Sequence, residues 1–329
     1  MRDTLQRTCE AFFESREVAK EAFKWENDSL LSVCASVLMN KKVDATTLKA
    51  CKEQLKEKTG IFSNFRQTVE APFVSMMATA QYPAEKLDKS LKYYEALKQQ
   101  FWGSEYLVLA ASILADDVAE WDVEKKAARA KNIYKLMKEE HPFLTGEDDY
   151  VSAVMLAMSD KADDKALIQE AEKAYQILKQ TFSSGNDVQA ASFVLVLALA
   201  DGDIEEKCRK MVELYESLKN AGVKYGKYYE LATLAALSIL PMSVEQMVED
   251  MVAVDSFLAE RKPYSGIFGM DKKTRLMHAA MIVSSEYSKS EDTNVAAMVG
   301  TLAMIAAQQA AMCAVICASA AASSAAAAN

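Results

Sequence analysis

Residues 84–117 read AEKLDKSLKYYEALKQQFWGSEYLVLAASILADD. In the first half Leu87, Leu91, Tyr94 and Leu97 recur at spacings of four, three and three, a single apolar stripe on a helix of 3.6 residues per turn. Phe101-Trp102-Gly103-Ser104 interrupts the pattern as a turn. Tyr106 to Ala115 is then apolar almost all round, the composition of a helix buried on every side. Asp116-Asp117 ends it. The stretch predicts an antiparallel helical hairpin with one wet helix and one dry one.

The same plan recurs along the chain. Its anchors are Leu55, Leu97, Met137, Leu178, Leu218 and Leu258, at spacings of 42, 40, 41, 40 and 40 residues. Lys follows the first five directly (Lys56, Lys98, Lys138, Lys179, Lys219), and Ala259 follows the sixth. In four repeats a Tyr precedes the anchor by three residues (Tyr94, Tyr134, Tyr175, Tyr215) and so shares its helix face. A period in this range marks stacked helical hairpins. The expected fold is all-α, a repeat array of six to seven antiparallel hairpins of about 40 residues. It would form an α-solenoid, with a closed α/α toroid as the alternative. Residues 1–41 form an atypical terminal hairpin, 42–290 six repeats, and 291–329 an uncharged Ala-rich helix and tail, all in one structural domain.

Each hairpin tip carries an aromatic (Phe62, Phe101, Phe143, Phe182, Tyr225, Tyr264), expected to plug it. A glycine lies near each, from Gly60 to Gly266, expected to supply the positive φ that ends a helix. All five prolines (Pro72, Pro83, Pro142, Pro241, Pro263) fall at helix starts or between helices, where a missing N–H costs least. Ser243-Val244-Glu245-Gln246 reads as a capping box.

The formal net charge of −9, with bases and acids interleaved as in Glu53–Lys58, argues against nucleic acid as a partner. No P-loop, GxGxxG, HExxH or GxSxG motif is present, so no cofactor is expected. The six cysteines show no CxxC spacing, and no metal is expected; they read as buried thiols of a reducing compartment. Residues 1–7 lack the apolar core of a secretory signal, which makes cytoplasm the expected location. No charge occurs from Thr293 to Asn329. Within that stretch Val295–Ala318 has the length of a membrane span, but it is Ala-dominated with Gln308-Gln309 at its centre. Packing against the array is the favoured reading and membrane contact the alternative.

Phe23-Lys24-Trp25-Glu26, Glu57–Arg66, Phe101–Leu107, Glu140–Leu144 and Ser184–Asp187 resemble segments of a bacterial family known as domain of unknown function 4003. The resemblance would cover nearly the whole chain. It implies a bacterial cytoplasmic protein of this length and brings no activity, cofactor or catalytic residue.

Two histidines, His141 and His278, have no visible catalytic partners and read as a turn residue and a core residue. The most suggestive polar residues open the dry helices: Glu105, Asp148, Asp149, Asn186, Asp187 and Asp271. They would line one rim, able to bind a cationic ligand or supply an acid and base pair. Equally, acids at helix N-termini cap free N–H groups. Asn64 and Arg66 sit in the first full tip, and Trp102 is expected as the one tryptophan at a tip. The expected function is a helical-repeat scaffold binding a protein or peptide on its concave or rim surface. The alternatives are an α/α-toroid enzyme using rim carboxylates, recognisable by contact between first and last pairs and carboxylates facing a cavity, and membrane association through the C-terminal helix.

Overall fold

A computed structural model describes residues 1–159, 163–198, 203–267 and 269–287. Among these residues there are fourteen α-helices and no strand. They are α1 (Asp3–Ala22), α2 (Asp28–Leu38), α3 (Ala45–Lys58), α4 (Glu70–Thr79), α5 (Pro83–Lys98), α6 (Glu105–Asp117), α7 (Val123–Glu140) and α8 (Tyr150–Met158). The series continues with α9 (Asp164–Leu178), α10 (Gly185–Leu197), α11 (Ile204–Asn220), α12 (Leu231–Ser238), α13 (Val244–Ala259) and α14 (Lys272–Tyr287). Val295–Ala318, and with it Cys313 and Cys317, lies outside the described residues. No helix among the described residues is long and apolar enough to cross a membrane.

The helices form two compact units. In the unit of residues 13–159, α3 packs on α4, α5 on α6 and α7 on α8. The dry helices α2, α4, α6 and α8 stack in chain order, and the wet helices α3, α5 and α7 do the same. The other unit holds residues 1–12 and the described residues beyond 162. It repeats the two layers, with α10, α12 and α14 stacked beside α9, α11 and α13. The start of α1 belongs to this second unit: Arg2 Nη2 donates to Asp250 Oδ2 and to the Tyr287 hydroxyl, both at 2.8 Å, and Phe12 lies 6.2 Å from the His278 ring.

The sequence period translates directly into packing. All six anchors are buried, and burying one leucine contributes roughly 1.5–3 kcal/mol. In three repeats the Tyr three residues earlier (Tyr94, Tyr134 or Tyr215) receives a buried aromatic from the preceding hairpin. Phe65 packs edge-on against Tyr94 at 5.1 Å, Phe101 against Tyr134 at 5.7 Å, and Phe182 against Tyr215 at 5.1 Å. The Lys after the anchor lies one turn beyond that Tyr, and Lys98, Lys138 and Lys179 sit 5.5–6.0 Å over the rings of Tyr94, Tyr134 and Tyr175.

Helix ends are closed by side chains. Asn27, Asp44, Ser104, Asp163, Asp203 and Ser243 each accept a backbone N–H from the first turn of the helix they precede. Only half of the expected box at Ser243 forms, because the Gln246 amide turns to Asp250 Oδ1 at 3.2 Å. The dry helices end on basic residues from wet helices. Lys86 donates to Ser112 O, Lys126 and Arg129 to Ala157 O, Lys207 to Ala198 O and Lys210 to Leu240 O. Cations at these carbonyls also complement the negative end of the helix dipole.

Two expectations about the tips need correction. Phe62 and Phe143 do not plug their hairpins; both stand in solvent, while Phe101, Phe182, Tyr225 and Tyr264 are buried as expected. The connections 59–69 and 141–149 each contain an extra 3-10 turn, Asn64–Arg66 and Glu147–Asp149. The later aromatic, Phe65 or Tyr150, takes the buried place. Of the six tip glycines only Gly266 has positive φ, at 90°. Gly103 instead permits close approach, since a Cβ there would lie 2.9 Å from the Tyr94 hydroxyl.

Candidate functional site

The polar tip residues meet in groups. In the unit of residues 13–159, Asn64 Nδ2 donates to the Tyr94 hydroxyl at 2.7 Å, directly over Gly103. Arg66 folds back, its Nη1 donating to Thr59 O at 3.4 Å and its Nε 3.8 Å from Glu70. Glu105, in the first turn of α6, reaches the preceding hairpin and accepts the Val69 N–H at 2.8 Å, capping α4. Burial pushes the Glu105 carboxyl above the usual range, and the N–H groups of Val69 and Thr68 oppose that. Asp149 is buried and accepts the Gly146 N–H at 2.9 Å. Asp148 lies against the same glycine, where a Cβ would come within 2.6 Å of its Oδ1.

In the other unit Asp187 accepts the Ser184 hydroxyl, and Asn186 lies beside it in the first turn of α10. Asp271 Oδ1 accepts the N–H groups of Lys273 and Thr274 at 2.9 and 3.1 Å, and Oδ2 accepts the Thr274 hydroxyl at 2.6 Å. Burial would raise the Asp271 pKa, but these hydrogen bonds outweigh it and hold the carboxyl below its ordinary value. The structure adds an acid that sequence reasoning missed, Glu230. It is fully buried at the start of α12, and its Oε2 accepts the Tyr228 N–H at 3.0 Å while Oε1 has no hydrogen-bond partner. Burial raises its pKa. A Cβ at position 226 would strike this carboxylate, so a larger residue there would displace it. The signal was present in outline: Glu230 opens its dry helix as Glu105 opens α6.

Within the second unit the start of α1 meets α14, where Phe12 lies 6.2 Å from the His278 ring. In the same unit Asp187 lies close enough to Glu230 to add to the rise in its pKa. Glu105, Asp149, Asp187 and Asp271 each accept hydrogen bonds from backbone or hydroxyl groups at their own helix starts or the neighbouring one. Among the described residues no three His, Cys, Asp or Glu side chains come together in a way that could hold a metal ion.

What does stand free is apolar. On the unit of residues 13–159, every wet-to-dry turn projects a large side chain into solvent. Trp25 is 98% exposed, Ile61 66%, Phe62 89%, Trp102 81% and Phe143 99%. These are consecutive wet-to-dry turns, and polar contacts tie the second, third and fourth together. Asn64 in the second tip bonds to Tyr94 below the third, and the Tyr150 hydroxyl beyond the fourth meets the backbone of Trp102 in the third. Trp102 is therefore not alone at a tip, since Trp25 occupies the turn between α1 and α2. The dry-to-wet turns of this unit expose Tyr82 and Trp121.

A family model described as "Protein of unknown function (DUF4003)" matches residues 16–310. The chain belongs to the DUF4003 family. No curated protein and no solved structure matches it. The DUF4003 match takes in all four aromatic tips, so the exposed row lies within the family's own domain.

Proposed function

We propose that this DUF4003 chain is a helical-repeat scaffold that binds a protein through the row of aromatic tips at Trp25, Ile61-Phe62, Trp102 and Phe143. One observation carries the reading: four consecutive wet-to-dry turns each hold a large apolar side chain almost wholly in water. Such exposure is unfavourable for an isolated chain, and contiguous apolar surface rimmed by polar groups marks interaction sites. Trp is also the residue most enriched among binding hot spots. Repeat arrays bind through extended surfaces built from equivalent positions in successive units, and the tips are such positions. The acids at the helix starts act on this reading as caps that hold the tips in place.

A photo-crosslinking residue at position 102 tests the proposal, with the same residue at position 121 as control. Specific adducts are expected at 102 and absent at 121, and Phe62→Ser with Phe143→Ser should abolish them. Equal adducts at both positions, or adducts indifferent to those substitutions, would overturn it.

A further inference from the structure

The connection from α11 to α12, residues 221–230, closes around one carboxyl group. Glu230 lies wholly out of water where α12 begins. Its Oε2 accepts the Tyr228 N–H, and its backbone carbonyl accepts the N–H groups of Thr233 and Leu234 and the Thr233 hydroxyl. That hydroxyl lies 2.7 Å from the hydroxyl of Tyr225, the buried aromatic of this tip. Gly226 runs directly against the carboxylate. Oε1 receives no hydrogen bond. The neighbouring Tyr229 hydroxyl is engaged with the Thr274 hydroxyl at 3.0 Å, and burial and then Glu230 keep its proton on.

A neutral carboxyl tolerates such a place. An ionised oxygen buried without a partner is strongly disfavoured. Burial is the main influence holding Glu230 neutral, opposed by its own N–H and that of Tyr228. From α14 Lys273 favours the charged form, and from α10 Asp187 disfavours it. Asp271, just before α14, acts on Tyr229. The helices α11 and α13 also pack on α12, and no described charge on either acts on Glu230.

We infer that Glu230 is a proton-operated clasp: protonated, it closes the 221–230 connection over Tyr225, and ionised, it moves into water and lets the connection open. The inference goes beyond the aromatic row and does not depend on it. Closure is complete below the ordinary carboxyl value of 4.5 and is lost as pH rises through the higher value of the buried group. Within that window each opening releases one proton, so the opening constant climbs about tenfold per pH unit. Opening uncovers Tyr225 at a tip that already half exposes Tyr228 and Tyr229.

Hydrogen exchange of the full chain from about pH 4.5 to 8, corrected for the intrinsic rate at each pH, is the test, with circular dichroism to confirm that each variant folds. In the wild type the amides of Tyr228, Leu231 and Thr233 should gain about tenfold in opening per pH unit and then level off, while those of α6 stay flat. Glu230→Gln cannot ionise and should keep the three amides closed across the range. Gly226→Ala displaces the carboxyl and should leave them open throughout. Flat exchange in the wild type would overturn the inference, as would a Gln variant that keeps the wild-type slope. A slope shared by α6 would overturn it too, since it would report unfolding of the whole chain. Should Glu230→Gln not fold, the alanine variant decides: amides that remain protected in Gly226→Ala would remove the clasp.

Discussion

Phe62, Phe101, Phe143 and Phe182 hold the same slot in four repeats, yet the structure divides them into two buried and two exposed residues. Alanine at each position turns that division into numbers. Phe101 is 5% exposed, 4.7 Å from the Tyr150 ring and 5.7 Å from that of Tyr134. Phe182 is 1% exposed and packs edge-on against Tyr215. Removing a buried Phe costs roughly 3–5 kcal/mol, of which about 0.5–1.5 kcal/mol reflects each aromatic pair. Phe101→Ala and Phe182→Ala should fall in that range. Phe62 and Phe143 lose almost no buried surface, so their alanine variants should stay within about 0.5 kcal/mol of wild type. Urea denaturation followed by far-UV circular dichroism reads the order from the midpoints. If Phe143→Ala or Phe62→Ala lowered the midpoint as far as Phe101→Ala, the tips would be folded back and the reasoning would fail.

Three further outcomes follow from the buried polar groups. Burial raises the pKa of Glu230 above its ordinary 4.5, so its protonated form is favoured by folding. Its contribution is fully present below that value and is lost as pH rises through the folded pKa; stability profiles of wild type and Glu230→Gln should therefore diverge in the variant's favour above pH 4.5, and parallel profiles would refute this. The Lys86 pKa is lowered because burial outweighs the attraction of Asp116, so at pH 7 Lys86→Met should be neutral or stabilising while Asp116→Asn should cost about 1 kcal/mol or more in chemical denaturation, and the reverse order would contradict it. Burial pushes the thiols of Cys9, Cys34 and Cys208 up to about 12, so they should resist a thiol reagent in the native protein and react only on unfolding, which mass spectrometry of labelled peptides can check.

The hairpins were legible because helical periodicity is local. The Leu87–Leu97 stripe, the all-apolar Tyr106–Ala115 run and the prolines at the joints each state their structure within a few residues. The tips were only half legible. Phe101 and Phe143 look alike in sequence, but the connection after α7 is long enough for a 3-10 turn that carries Tyr150 into the place Phe143 would fill. The role of Glu105 was hidden for a different reason. Its partner, the Val69 N–H, lies 36 residues away on another hairpin, and no local pattern encodes that distance. The basic residues closing the dry helices were missed likewise, since Lys86 looks like any solvated lysine until α6 is laid against it. Trp25 escaped notice because the first hairpin departs from the period.

Trp102 offers a direct readout of the surface. In a variant keeping Trp102 as its single tryptophan, with Phe at positions 25 and 121, acrylamide quenching reports whether the ring stands in water. In the free chain quenching should approach that of free tryptophan, as 81% exposure requires, and it should fall when a protein partner occupies the tip row. A Trp102 already shielded in the free chain, or one equally open in the bound state, would contradict the account.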